Sequence, residues 1–165
     1  MQAGRIVAHL FTTAWSVRRR FPPRLLDKIG QVIHECEATH AGQIRFAVEH
    51  SLDLPELLRG VSARDRAVDV FSMLRVWDTE HNNGVLIYLL LADRDVEIVA
   101  DRGVHARVGK DGWERVCQGM EAAFRRGDFE GGVVGGIRVV SEHLQRHYPA
   151  QGQQPNELPD RPAVL

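Results

Sequence analysis

The strongest pattern in the chain is an unbroken apolar run of eight residues, Val85 to Ala92, set between Asn83-Gly84 and Asp93-Arg94-Asp95. A run that short, closed on both sides by turn residues, fits a strand covered on both faces. The pattern then switches to alternation. Val96, Ile98 and Ala100 fall on one side and Asp95, Glu97, Val99 and Asp101 on the other, a strand with one polar face. The connection is short, so the two segments are expected to pair as an antiparallel hairpin. Asn83-Gly84 is expected to turn the chain before it, because both residues tolerate positive φ. A further alternating stretch, Gln43 to Glu49, places Ile44, Phe46 and Val48 on one face and reads as another strand.

Helical spacing surrounds these strands. Ile6, Val7, Leu10, Phe11 and Ala14, with Trp15 beside them, predict an amphipathic helix over residues 4–17. Phe21-Pro22-Pro23 breaks the chain and starts a second helix, which buries Leu25, Ile29, Val32, Ile33 and Cys36 and closes at Ala41-Gly42. His34, Glu35, Glu37 and His40 fall largely off that stripe. Ser62 is expected to cap a helix running to about Val76, with Asp65 in its acidic first turn. Strand, helix, strand is a crossover unit, so residues 43–49 and 85–92 are expected to be parallel. After the hairpin come an irregular stretch or short helix at Val104–Lys110, a helix carrying Trp113, Val116, Cys117, Met120 and Phe124, and a last helix from Phe129 to His147. Gly131, Gly132, Gly135 and Gly136 in that last helix would allow close packing. The fold class is therefore α/β, a small mixed sheet flanked by helices. Residues 1–20 form an amphipathic helix and basic linker, 21–149 the domain and 150–165 a flexible tail, with Ala163-Val164-Leu165 free to dock.

Composition narrows the function classes. A chain of 165 residues that is 44% hydrophobic can bury one core. A net charge of −1 argues against nucleic acid as a partner. No run approaches a membrane span, and no signal-peptide pattern opens the chain. Cys36 and Cys117 lie on apolar helical faces, as reduced thiols of a cytoplasmic protein would. Arg18-Arg19-Arg20 is the densest basic run. It reads as a solvated connector or, with the apolar face of residues 4–20, as a peripheral membrane contact.

Several motifs fall short of known chemistry. His34-Glu35 and His40 miss the zinc-protease spacing because Ala38 stands where the second His belongs. His143 and His147 share a helix face and read as a surface pair. Gly103 to Lys110 has the wrong spacing for a phosphate loop, and there is no serine nucleophile elbow. Asp93-Arg94-Asp95 after a buried strand has the look of a phosphatase nucleophile motif, but Glu97 stands where a small residue is usual and a polar hairpin turn explains it as well. Asp93, Asp101 and Glu97 or Glu35 could group as oxygen ligands for Ca²⁺ or Mg²⁺, unless Arg94 and Arg102 pair with the acids first. No organic cofactor is suggested.

In order, Gly42-Gln43-Ile44-Arg45, Ala67 through Phe71, Asn83-Gly84-Val85-Leu86-Ile87, Asp101-Arg102-Gly103-Val104, Trp113 and Phe129-Glu130-Gly131-Gly132 resemble the TPM domain family over about residues 22–149. The resemblance implies a mixed sheet flanked by helices. It also implies a phosphatase-like activity proposed for thylakoid-lumen relatives, and divalent-cation binding, calcium in particular, through loop carboxylates that match Asp101 and, less firmly, Asp93. Many members carry Glu where this chain has Gln43, which brings an oxygen without charge. Two readings follow: a partner- or divalent-cation-binding module, or a metal-assisted acid phosphatase acting on phosphomonoesters through Asp93 and Asp101.

Overall fold

The computed structural model describes residues 2–153 and 155–165. In chain order the elements are α1 (Gln2–Phe11), α2 (Ala14–Arg20), α3 (Pro23–Glu37), β1 (Gln43–Glu49), α4 (Leu54–Leu58), α5 (Ala63–Met73), β2 (Gly84–Leu90), β3 (Asp95–Ala100), α6 (Arg102–Val108), α7 (Lys110–Arg125), α8 (Phe129–His147) and β4 (Ala163–Val164). Among the described residues they build one sheet in the order β3-β2-β1-β4. β1 and β2 are parallel, with Gln43 opposite Gly84, and β2 and β3 are antiparallel, with Leu90 opposite Asp95. The mixed α/β sheet read from the hydrophobic pattern is the one found.

Every residue of β2 is buried, because helices cover both faces of the sheet. On one face Ile44, Phe46, Val48, Ile87, Leu89 and Ile98 pack on α3, α7 and α8 through Ile29, Ile33, Met120, Phe124, Ile137 and Leu144. On the other, Leu86, Tyr88, Leu90 and Val99 meet α4 and α5 through Leu57, Ala67 and Val70. The glycines of α8 have the expected use in part. A Cβ on Gly136 would stand 2.3 Å from Met120 Sδ and one on Gly132 2.6 Å from Phe124 Cε1, whereas one on Gly135 would meet nothing. Ser62 caps α5 as its sequence signature predicts, its hydroxyl accepting from Asp65 N at 3.1 Å.

Four expectations need correction. The N-terminal helix is two helices, because Thr12 bonds back to Ala8 O at 2.8 Å and Thr13 is extended ahead of α2. The turn before β2 takes its positive φ at Asn82, not at Asn83 or Gly84. Gly84 is required for another reason: a Cβ there would lie 2.1 Å from Val76 O. α3 stops at Glu37 rather than Gly42, which turns Glu37 and His40 inward and leaves both buried. The segment read as a flexible tail returns to the sheet over residues 155–165. Its β4 pairs parallel to β1, Leu158 is buried, and Leu165 N donates to Val48 O at 2.9 Å. Its polar side chains hid this, because backbone groups do the holding. Gln43 Oε1 accepts from Glu157 N at 2.9 Å and Leu158 N at 3.0 Å, and the Arg45 guanidinium donates to Pro159 O and Arg161 O.

Candidate functional site

The acids singled out in the sequence occupy separate places. Asp93 lies in the β2–β3 turn, where Arg94 takes a φ of 53°. Its carboxylate accepts from Arg5 Nε at 3.0 Å and Nη2 at 2.9 Å, and from His9 Nε2 at 2.9 Å. The other imidazole nitrogen, Nδ1, accepts from Leu52 N at 2.9 Å. These two contacts fix the neutral tautomer with its hydrogen on Nε2. Burial raises the Asp93 pKa, but the hydrogen bonds from Arg5 and His9 outweigh it and hold the acid below its usual range. Asp93 is thus the post to which α1 is tied.

Asp101 stands past the opposite end of β3, about 20 Å away at the usual rise per residue. Its Oδ2 accepts from Gly84 N at 2.8 Å, joining the starts of β2 and α6. Burial pushes its carboxyl up, partly offset by that bond. Glu35 is exposed on α3 and accepts from Gln31 Nε2 at 2.8 Å, a local helix pair. Glu97 lies on β3 with Arg64 at 3.3 Å. The neighbours Arg94 and Arg102 pair with none of these acids; the partners come from Arg5 and Arg64, distant in sequence. Asp93, Asp101, Glu97 and Glu35 are therefore not brought together. Among the described residues no three His, Cys, Asp or Glu side chains converge as a metal site would need. A hard cation wants about six to eight oxygens, and these residues do not supply them at one point. Gln43, the position that departs from the resemblance, has its oxygen engaged by the backbone of residues 157 and 158.

What the fold does gather is a second set of acids. β3 is an edge strand, flanked by α7 on one face and α5 on the other. Along this edge runs a groove of about 630 Å³ bordered by Asp95, Glu97, Glu114, Cys117, Glu121 and Arg64. Asp95 and Glu97 alternate with Val96 and Ile98, so the strand's polar side chains reach the groove while its apolar ones enter the core. Glu114, Cys117 and Glu121 follow at helical spacing on α7.

The electrostatics are lopsided. Burial, then Glu97, Glu121 and Asp93, push Asp95 up to about 6. The Asp95 carboxylate has no hydrogen-bond or ion-pair partner among the described residues, and Arg5, itself bound to Asp93, offsets the rise only in part. Glu97 is raised by burial against the opposing pull of Arg64. Burial and the surrounding carboxylates push the Cys117 thiol up to about 12, so it is protonated and unreactive at neutral pH. Cys36 is likewise raised by burial, and both cysteines are half-buried and free.

Side chains, not a neighbouring strand, meet the outward backbone groups of β3. Glu121 Oε1 accepts from Val96 N at 3.4 Å, and Arg64 Nη1 donates to Ile98 O. Glu114 and Glu121 were not singled out in the sequence. The available signal was their i, i+7 spacing on α7 beside a strand with its own acids, and it gains meaning only once β3 is known to be an edge. Sequence reasoning also missed a buried network behind β1. There Glu49 accepts from Tyr88 Oη at 2.6 Å and from Arg66 Nη2 at 2.7 Å and Nε at 2.9 Å. Burial, then Glu49, raises Tyr88 far above its usual range, which marks this network as structural.

A family model, the TPM domain, matches residues 21–143. Among solved structures the chain is similar to the BA42 protein of the psychrophilic bacterium Bizionia argentinensis, with 28% identity, 86% of this chain and 93% of that chain covered and a TM-score of 0.76. It also shares the fold of the N-terminal domain of a P. gingivalis protein, at 16% identity, with 79% and 82% covered and a TM-score of 0.61. No curated protein matches it. With the family model spanning most of the chain and the sheet arranged as the residue patterns require, the chain belongs to the TPM domain family.

Proposed function

We propose that this TPM-type domain is a non-catalytic binding module whose recognition site is the acidic groove along β3, and that it takes an extended, basic segment of a protein partner. The observation that supports this reading is the Asp95 carboxylate, without a hydrogen-bond or ion-pair partner and raised by burial and by neighbouring carboxylates, on an edge strand whose outward backbone groups at Val96 and Ile98 are met by side chains. A strand edge offers backbone hydrogen bonds to an incoming strand, and the acids select its charge. Arg64 and Glu121 hold the edge groups until a strand replaces them, which also protects the edge from indiscriminate pairing.

Fluorescence anisotropy with two labelled peptides, one alternating Lys and Val and one alternating Glu and Val, tests this. The basic peptide should bind and weaken with salt, the acidic one should not, and Asp95→Asn with Glu121→Gln should weaken binding by about tenfold or more. Equal binding of both peptides, or of neither, overturns the reading. The other readings have their own signatures in the same preparation. Phosphomonoester turnover with Mg²⁺ or Ca²⁺, lost in Asp93→Asn, would put a phosphatase in its place. Calcium-dependent thermal stabilisation without turnover would put a cation-binding module there.

A further inference from the structure

The N-terminal corner is built inside out. α1 turns Arg5, His9 and the half-buried Ile6 toward the domain, through Asp93, Leu52 N and the apolar cluster under α5. Its more apolar stripe faces outward. Val7 is 51% exposed, Leu10 63%, Phe11 80% and, after the break at Thr12-Thr13, Trp15 65%. A helix covering a core does the reverse. Together these side chains expose on the order of 500 Å² of apolar surface within one short segment, in the range where apolar patches mark interaction sites.

Charge says what the patch meets. No Asp or Glu precedes Asp27, and Arg18, Arg19, Arg20 and Arg24 follow the apolar stripe directly. None of these four arginines forms an ion pair among the described residues. Arg19 lies over the Trp15 ring at 5.5 Å and Arg20 over Phe129 at 5.7 Å. The nearby acids are already engaged: Glu130 with Lys28, and Asp128 with Gly131 N at 2.8 Å. Apolar and aromatic side chains rimmed by unpaired arginines suit an interface of acyl chains below anionic headgroups. Charge decides between kinds of partner: a bilayer surface needs only a few inserted side chains plus a basic rim.

We infer that α1 and α2 form a peripheral membrane anchor, in which Val7, Leu10, Phe11 and Trp15 insert into the headgroup boundary of an anionic bilayer and Arg18, Arg19, Arg20 and Arg24 contact its phosphates. Among the described residues no helix is long and apolar enough to cross a membrane, so the attachment is reversible and lies along the surface. The anchor presents the domain to the membrane through the Asp93 tether.

Co-sedimentation of the full chain with phosphatidylcholine vesicles, with and without phosphatidylglycerol, tests the anchor. Binding should require phosphatidylglycerol and fall with salt. Arg18→Gln, Arg19→Gln and Arg20→Gln together should weaken it on the order of a hundredfold, from about fivefold per arginine. Phe11→Ser with Trp15→Ser should weaken it by about tenfold or more and leave the melting temperature unchanged, because both side chains already face solvent. Absence of binding at low salt, equal binding to neutral vesicles, or indifference to Phe11→Ser with Trp15→Ser overturns the proposal. A concentration-dependent dimer that Phe11→Ser abolishes, with no vesicle binding, overturns it in favour of a second copy of the chain on this face.

Discussion

Asp95→Asn separates what the groove costs the fold from what it does for binding. In the folded chain Asp95 sits at about 6, against an ordinary value of 3.8. A carboxyl raised on folding destabilises the native state when ionised. Its stabilising contribution is present at low pH and is lost as pH rises between those two values, after which the deficit is constant. The full shift corresponds to about 3 kcal/mol. Asp95 is only partly buried, and solvent screening reduces this to about 1–1.5 kcal/mol near neutral pH. The amide keeps the shape and removes the charge. The variant should therefore be more stable than the parent near pH 7, by about 2–4 °C in Tm for a chain of this size, and no more stable near pH 4. The same substitution should weaken binding of a basic peptide, so stability and affinity move in opposite directions, as at a functional site held against the preference of the fold. Thermal or urea melts of both proteins across that pH range give the difference curve, in which other titrating carboxyls cancel. A difference that does not change with pH, or a variant less stable at neutral pH, refutes the assignment of Asp95 as an unpaired acid strained by its neighbours.

Two further outcomes follow from the other perturbed carboxyls. Asp93→Asn should weaken its bonds to Arg5 and His9 and release α1, at a cost of about 1–2 kcal/mol; hydrogen exchange should show the α1 amides losing protection while those of β2 keep it. Because the Asp93 carboxyl is depressed, the docking is complete above the ordinary carboxylate range and is lost as pH falls through it. Glu37 is pushed up to about 8 by burial, against the hydrogen bond from Ile44 N, with Asp160 adding to the rise. Its contribution is present at low pH and lost as pH rises from 4.5 toward that value. Glu37→Gln retains an acceptor for Ile44 N and should match the parent near pH 5 but exceed it by about 2 kcal/mol near pH 9 in thermal melts, a result that fails if both proteins lose stability alike.

The legible parts of the fold are those governed by local periodicity. The apolar run became β2 because helices cover both its faces, and the alternations at residues 43–49 and 95–100 became its two neighbours. Ser62 with Asp65 and the glycines of α8 carried their meaning in the sequence because their partners lie within a few residues or on the adjacent helix. What could not be read depends on distance along the chain. Arg5 and Asp93 are 88 residues apart, and Gln43 and Glu157 are 114 apart. No pattern within a window of helical or strand length reports such pairs. Periodicity also gives a helix an apolar side without saying which way it faces. In α1 the decision falls to Arg5 and His9, whose hydrogen-bonding groups find partners only inside.

The same contacts explain why picking acids by their position in the sequence named residues that the fold keeps apart. A carboxylate beside a rigid hairpin is equally suited to hold a cation or to hold an arginine, and the outcome depends on which charge reaches it. Asp93 receives Arg5 and His9, so it fastens the segment ahead of the family-matched region. Gln43, an amide without charge, receives the backbone of the segment behind that region and fastens β4. Both rim positions thus anchor chain that lies outside residues 21–143. The carboxylate left without such a partner, Asp95, faces the groove instead. An acid buried beside other acids, with only a partial offset from an Arg5 already bound to Asp93, is costly to maintain. That cost is recovered if the cation arrives on another molecule, which is the physical reason to look for the ligand along the β3 edge and not at the hairpin rim.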